Sequence, residues 1–593
     1  MSAPTEGRAV RSALTEPLHR VLGWMLSHRD AEGAIVCPFH GIEHTGKSAG
    51  AAVIACSLAR HDPAADHEAL FTAARQQAHR MLGRLEREGD STCFTFRPGR
   101  HDPYNCSNSV IDGGACSDAL AEVVQTFGDR LESEEREAFA RASVLGAQTY
   151  LRYCVLDKGI PAQKAWALTG VAQAHALSGH EVLELTVREG AAILDGLTRR
   201  DGSVPYHPIE GGAGHPGASD ASAFYQSRVT GFLAFALERA GLDPATGPWR
   251  AQLERGLDFL VGLIGPDGIK PGLVEAKPWY WGAAHEVASH PFDLFALSIG
   301  VRSLGRRDCA GALRSSWTAW VDHLGTNGAP ASHRAGRGHG ASYQCPMFWA
   351  GHASWAARAL PTLEQVWDEP EESPGSGPQV QVFDNAQLAR LSGGGVTAWV
   401  RGARPAGNVF HGSPAGGGLI RAVANATGEE LLVRSRYGLH PDAEWTAAHG
   451  APSPMRGPRA NGSEARFVLW LARNGMRGGG LSSALRPAWD YGRQGLVGFG
   501  AARASTAFDR GSALERVPGG VSVRAVPSWR DGVRAPLPAA ERTFTVSSSG
   551  LRVVEVLQEP STRLQYRVPP QARDVEQGPG RASWTLVAPP DPR

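Results

Sequence analysis

Tyrosine, histidine, tryptophan and amide side chains gather in a few glycine-rich stretches of this chain, and those stretches are where chemistry would sit. The stretch RRDGSVPYHPIEGGAGHPGASDASAFYQSRVTGF carries Tyr206, His207 and His215, then Tyr225 and Arg228 three residues apart on one face of a helix, close to its start. A guanidinium beside a phenol favours the phenolate, which suits Tyr225 to remove a proton. The plainer reading packs Tyr225 with Phe224 and Phe232 and leaves Arg228 a solvated neighbour. VEAKPWYWGAAHEVASHPFD adds Trp279, Tyr280, Trp281, His285 and His290. Aromatic faces stack on the apolar faces of sugar rings, and three in a row within a loop are harder to assign to a core than the same residues at helical spacing. HEVASH is one residue too long to put both histidines on one helical face in the zincin manner, so no zinc is expected there.

Four further stretches extend the set. RPGRHDPYNCSNSVIDGGACSDAL holds His101, Tyr104, Asn105, Asn108 and Asp112, whose amides and phenol can bind hydroxyls or a carboxylate, and whose Asn and Asp can equally cap a helix. KGIPAQKAWAL puts Gln163 and Lys164 at a helix start, where free backbone N–H groups favour an anion. CPFHGIEHTGKSAG has Gly41, Gly46, Lys47 and Ser48 at P-loop spacing, beside His40 and His44. A phosphate-cradling loop needs a strand before it and a parallel sheet around it, and the flanking pattern here is helical, so the match reads as chance. HRAGRGHGASYQCPMFW contributes His333, His339 and Tyr343.

The elements that would position these residues follow from periodicity. Up to about residue 360 apolar residues recur at helical spacing in Ala-, Leu-, Arg- and Glu-rich segments such as GAAVIACSLAR and DALAEVVQTF. About twelve helices are expected, near 8–29, 46–61, 64–88, 113–127, 132–152, 163–178, 180–198, 219–240, 246–264, 286–304, 307–324 and 344–359. Connections alternate: roughly two to five residues after each even helix, and about ten to twenty-five after each odd one. An up-down chain therefore has its tight turns on one face and its long loops, with the residues above, on the other. Six such hairpins close into an (α/α)6 toroid, with a superhelical array as the competitor. From about residue 377 short β-type runs such as VTAWVR, RTFTV and LRVVEVLQ alternate with Gly and Pro clusters, which predicts an antiparallel β-sandwich. The expected division is a toroid over 1–362, a linker over 363–378 around DEPEESPGSGP, and a β-sandwich over 379–593.

Composition narrows the classes of partner. The 60 basic and 59 acidic residues leave a net charge of +1, which argues against a general affinity for nucleic acid or for a membrane surface. The first thirty residues show no apolar signal core and the chain has no run of about eighteen apolar residues, so a cytoplasmic protein is expected, with non-standard export left open. The eight cysteines lie in the first 345 residues without C-x-x-C spacing, as free thiols would.

A helical toroid followed by an antiparallel sandwich resembles the heparinase II/III-like polysaccharide lyases and the related alginate and chondroitin lyases. DGSVPYHPIEGGAGHPGASDASAFYQSRVTGF looks like the segment of that family that runs from a DG turn to its catalytic tyrosine, which maps to Tyr225. IPAQKAWALTGVAQAHALSG looks like the preceding helix, where members often carry an Asn that neutralises the substrate carboxylate; Gln163 stands at that position. NVFHGSPAGGGLI is similar in placement to the histidine- and glycine-rich segment at the start of the sheet domain, with His411 as the counterpart, although the acidic metal ligand often found beside it is absent.

What the resemblance implies is β-elimination at a uronic acid residue of an anionic polysaccharide or oligosaccharide. Gln163, Asn108, Arg228 or a histidine would neutralise the carboxylate, Tyr225 would take the proton, and Tyr225, His285 or His411 would protonate the departing oxygen. Tyr104, Tyr206, His207, His215, Trp279, Trp281 and His290 would line the glycan path. The chemistry requires no cofactor, and no ligand spacing indicates a metal. Two rivals stand beside it: a glycoside hydrolase on the same toroid, using Asp112 and Asp220 as its carboxylate pair, and a non-catalytic glycan-binding protein.

Overall fold

Small residues decide how closely helices approach, and in this chain they mark an inner ring. The computed structural model describes residues 3–38, 43, 45–94, 107–206, 220–271, 285–286, 289–330, 346–369, 377–403, 417–433, 444–447, 476, 481, 485, 510–526, 538–560 and 564–589. Its helices are α1 (Ala3–Leu26), α2 (Thr45–His61), α3 (His67–Leu82), α4 (Ser107–Phe127), α5 (Ser133–Gly146), α6 (Arg152–Asp157), α7 (Pro161–Ser178), α8 (Glu181–Leu197), α9 (Ala223–Arg239), α10 (Arg250–Leu263), α11 (His290–Leu304), α12 (Asp308–Asp322) and α13 (Pro346–Val366). Helices α2, α4, α7, α9, α11 and α13 pack each against the next, and α13 packs back against α2, so the ring closes. The superhelical alternative is thereby set aside.

The inner helices are buried on every side. Each residue from Thr45 to Leu58 in α2 and from Pro161 to Ala174 in α7 is buried, whereas outer helix α8 buries only the stripe Leu183, Thr186, Val187, Gly190, Ala191 and Leu194. Glycines form the seams: a Cβ on Gly50 of α2 would stand 2.2 Å from the carbonyl oxygen of Gly351 in α13, and one on Gly114 of α4 would stand 2.4 Å from that of Trp166 in α7. These partners lie at matching depths in their helices, so the inner helices run parallel. All six begin at the long-loop face and end at the tight-turn face.

Several boundaries differ from the periodicity reading. The third helix stops at Leu82, and Leu85–Glu88 (β1) pairs antiparallel with Ser91–Phe94 (β2), a hairpin turned by Gly89 at φ 57°. After α5 a π-turn over Ala147–Leu151 carries the chain on into α6, so only 158–160 separate α6 from α7. The third of the expected long loops is therefore a short connection, because those residues remain helical. The last helix runs through Pro361 to Val366, and outer helix α1 begins at Ala3.

Beyond the helices, Lys270–Pro271 (β3) bridges His285–Glu286 (β4) on the loop face. A five-stranded antiparallel sheet follows: Gln379–Phe383 (β5), Leu388–Gly393 (β6), Val396–Arg401 (β7), Gly418–Ala424 (β8) and Glu430–Val433 (β9), in sequence order. A second antiparallel sheet is built from Arg510–Gly511, Glu515–Val517, Gly520–Val526, Ala540–Ser547, Gly550–Leu557, Ala572–Gly578 and Arg581–Leu586, and Glu444–Ala447 pairs with Leu564–Arg567 apart from it. Every residue of β7 and β8 is buried because the first sheet is a middle layer. Ala389, Leu391, Ala398, Val400 and Ala422 face Val521, Phe544, Val553 and Trp584 of the second sheet. Leu388, Trp399, Ile420 and Val423 face Ala221, Ala223, Phe259 and Leu263 of the helical ring. Among the described residues no helix is long and apolar enough to cross a membrane; Cys37 and Cys93 are buried, and Cys56, Cys116, Cys154 and Cys309 are buried free thiols.

Candidate active site at the loop face of the ring

Tyr225 stands in the first turn of α9, where Ser222 caps the helix by accepting the Tyr225 N–H at 3.2 Å. The chain just before the cap is tied back on itself. Pro205 and Ala221 form an antiparallel bridge, the Tyr206 N–H donates to the Asp220 carbonyl at 2.8 Å, and Gln226 accepts from Val204 N–H at 3.0 Å and donates to the carbonyls of Gly202 and Gly256. This clamp lays the Tyr206 ring on the Tyr225 ring, with centroids 5.3 Å apart and planes within 10°. Tyr206 is buried beneath, and Tyr225 is left half-buried.

Arg228, one turn further along α9, is not solvated. The residue is 1% exposed, and its guanidinium lies 3.7 Å from the ring centre of Phe224, 4.3 Å from that of Phe292, and 5.2 Å from those of both Trp166 and Tyr225. A desolvated cation held by ring faces projects its charge onto Tyr225 with little screening. Below it, Lys270 Nζ donates to Asp293 Oδ1 and to the carbonyl of Ala223, both at 2.7 Å, fixing the first residue of α9 to α11. Burial pushes the Asp293 carboxyl up from its ordinary range, against the pull of Lys270.

The axis of the ring brings in Lys47, whose P-loop spacing reads as chance, and His352, which no loop motif singled out. Lys47, in the first turn of α2, is buried with its ammonium 5.5 Å from the Trp166 ring centre and 3.4 Å from His352 Nε2. His352 packs in turn on Phe292 at 4.5 Å and Trp166 at 6.0 Å. The P-loop-like spacing is thus resolved into a helix start: Gly46, Lys47 and Ser48 lie within α2, and the Gly46 N–H donates to Asp112 Oδ1 at 3.1 Å. The signal for Lys47 and His352 was available in their positions, each near the start of an inner helix, since such starts converge on one mouth.

The remaining expected site residues divide by placement. Gln163 is buried in the first turn of α7, one turn from Trp166. Its neighbour Lys164 donates to the carbonyls of Val155 and Leu156 at 2.8 and 2.9 Å, so it caps α6 and does not meet an anion at the helix start. His290 is fully enclosed, 3.9 Å from Asp293 and with its ring 5.7 Å from that of His323. Asn108 falls in the first turn of α4 and His285 in β4, but their side chains, together with Tyr104, His207, His215, Trp279, Trp281 and His411, lie outside the described residues. Neither carboxylate of the hydrolase alternative stands free: Asp112 accepts from Gly46, and Asp220 is buried in an ion pair with Arg401 of β7 while also accepting the Ala221 N–H at 2.8 Å. Among the described residues no group of three or more His, Cys, Asp and Glu is placed to hold a metal ion.

No family model matches this chain, and no curated protein does. Among solved structures it is similar to the chondroitin AC lyase of Streptomyces coelicolor in complex with chondroitin sulphate, at 13% identity over 98% of this chain and 72% of that one, with a TM-score of 0.48. A Paenibacillus xanthan lyase gives 11% identity over 94% of this chain and 46% of its own, at a TM-score of 0.48. The cellobiose 2-epimerase of Spirochaeta thermophila gives 12% identity over 61% of this chain and 99% of its own, with a TM-score of 0.45.

Proposed function

We propose that the chain is a lyase that cleaves uronic-acid-containing glycans by β-elimination, with Tyr225 as the proton-abstracting base. The observation that carries this reading is the half-buried Tyr225, its ring stacked on Tyr206 and its ring centre 5.2 Å from the buried guanidinium of Arg228. A charge so placed stabilises the phenolate, the form that accepts a proton. Six parallel helix starts also converge on this mouth, and the positive ends of their dipoles favour an anionic sugar.

In the reaction the uronate carboxylate is neutralised by the Gln163 amide and the Lys47 charge, which makes the adjacent C5–H acidic. Tyr225 takes that proton, the electron pair forms the C4–C5 double bond, and the C4–O4 bond breaks. O4 leaves with a proton delivered by the Tyr225 phenol formed in the first step. Arg228 does not touch the sugar; it acts through the Tyr225 ring.

The test is to offer uronate polymers and oligomers to the purified protein and follow absorbance at the ultraviolet edge, where an unsaturated uronate absorbs and a hydrolysis product does not. Wild type should generate the chromophore, and Tyr225→Phe should abolish it while binding persists. New reducing ends without absorbance would instead assign hydrolysis, and binding without turnover in wild type would leave a glycan-binding protein.

A further inference from the structure

The inner helices end at the opposite mouth of the ring, where the chain makes its tight turns. Arg60 of α2, Arg239 of α9, Arg302 of α11 and Arg358 of α13 line a cavity there of about 350 Å³, with Glu122 and Glu238 among them. Glu122 is the hub. Fully buried, it pairs with Arg60, accepts from Arg358 Nη2 at 3.2 Å and from Gln173 Nε2 at 2.9 Å, and has Arg239 3.7 Å away, beyond hydrogen-bonding distance. Asp118 takes both terminal nitrogens of Arg358 at 2.9 and 2.8 Å, and Glu238 takes Arg302 at 2.6 Å.

Four guanidiniums thus meet three carboxylates, which leaves one positive charge in excess within a walled space. The nearby imidazole of His61 does not alter that count, since burial and Arg60 push it down toward the neutral form. Burial, with repulsion from Arg358, also pushes Arg239 down from its ordinary value, and burial together with Arg358 and Arg239 does the same to Arg60. Guanidiniums crowded in this way are forks suited to the oxygens of a planar or tetrahedral anion, and Phe235, 5.3 Å from Arg239 and 4.8 Å from Arg358, supplies an apolar wall.

We infer that the tight-turn mouth of the ring is a binding site for a small oxyanion, held by Arg239 and Arg60 and separate from the loop-face site. The proposal stands whether or not the loop face carries out an elimination. The experiment is isothermal titration calorimetry of the full chain with inorganic phosphate, sulfate and glucuronate in turn, at constant ionic strength in chloride buffer. Saturable binding of one phosphate or sulfate per chain is expected, retained in Tyr225→Phe and weakened about tenfold or more in Arg239→Gln and in Arg60→Gln. Glucuronate binding that is weakened in Arg239→Gln would identify a sugar carboxylate as the natural source, and its absence an inorganic or phosphorylated one. Two results would overturn the inference: no saturable heat with any of the three anions, or anion binding equal to wild type in both arginine variants with folded circular dichroism spectra. In either case the arginines serve only to neutralise the helix C-termini that converge there.

Discussion

Arg228 is the residue whose environment bears most directly on the proposed chemistry. Its charge sits among four aromatic faces, one of them the Tyr225 ring. Replacing it with methionine keeps the chain's bulk and removes both the charge and the cost of burying it, so stability should change little. Turnover should not survive so well: loss of a preorganised charge at a developing anion costs roughly a hundredfold or more in kcat. Since Arg228 does not hold substrate, KM should be nearly unchanged. Steady-state kinetics of Arg228→Met checks this, and a rise in KM with kcat intact would return Arg228 to direct carboxylate binding. The pairing of Tyr225 with Arg228 was legible from their three-residue spacing, but the burial of the guanidinium was not. It depends on Trp166 and Phe292, which come from two other inner helices.

At the scale of elements, the start of α9 is held in place from outside the ring. Asp220 opens the cap segment, and its carboxylate is bound by Arg401, far along the chain on β7. The same residue's carbonyl receives the Tyr206 N–H, so the ion pair anchors the stack that presents Tyr225. Removing one partner of a buried pair strands the other charge, at a cost of about 3 to 5 kcal/mol. Arg401→Met should therefore lose stability of that order in urea denaturation and lower kcat together with it, because Tyr206 is released. The double variant Asp220→Asn with Arg401→Met removes the stranded charge and should regain most of the stability. If the double variant were as unstable as the single one, the pair would be holding the sheet by shape and not by charge. Such pairs explain where sequence reading stops. Alternating short and long connections reveal six helical hairpins because hairpin geometry is local, whereas Arg401 meets Asp220 only after the ring and the sheet have both formed. The π-turn at Ala147–Leu151 was hidden for the opposite reason, since one extra residue in a helical turn leaves local composition unchanged.

For the whole molecule, the question is whether the ring and the sheets behave as one cooperative body. Trp399 of β7 is fully buried between them, donates its indole N–H to the Gly262 carbonyl of α10 at 2.9 Å, and lies opposite Arg421 of β8, whose guanidinium is 5.5 Å from its ring. Arg421 in turn donates to the Ile269 carbonyl and to Asp267, each at 2.6 Å, both in the helical part beyond α10. Phe259 and Leu263 of α10 share a buried apolar cluster with Phe383 and Ile420, so the seam joins a hydrophobic core to buried ion pairs, as the interior of a single domain does. Truncating a buried tryptophan costs about 3 to 5 kcal/mol, and at Trp399 that loss falls on the contact between the two parts. If they unfold together, Trp399→Ala should lower by several degrees the melting temperature read from the helical circular dichroism band, although the substituted residue is in a strand. The transition should remain single in the variant as in wild type. A helical melting curve left in place, with a second transition below it, would show instead that the ring stands by itself and that the sheets only rest on it. The outcome bears on catalysis, because a ring that depends on the sheet for its stability also depends on it, through Arg401 and Asp220, for the position of Tyr225.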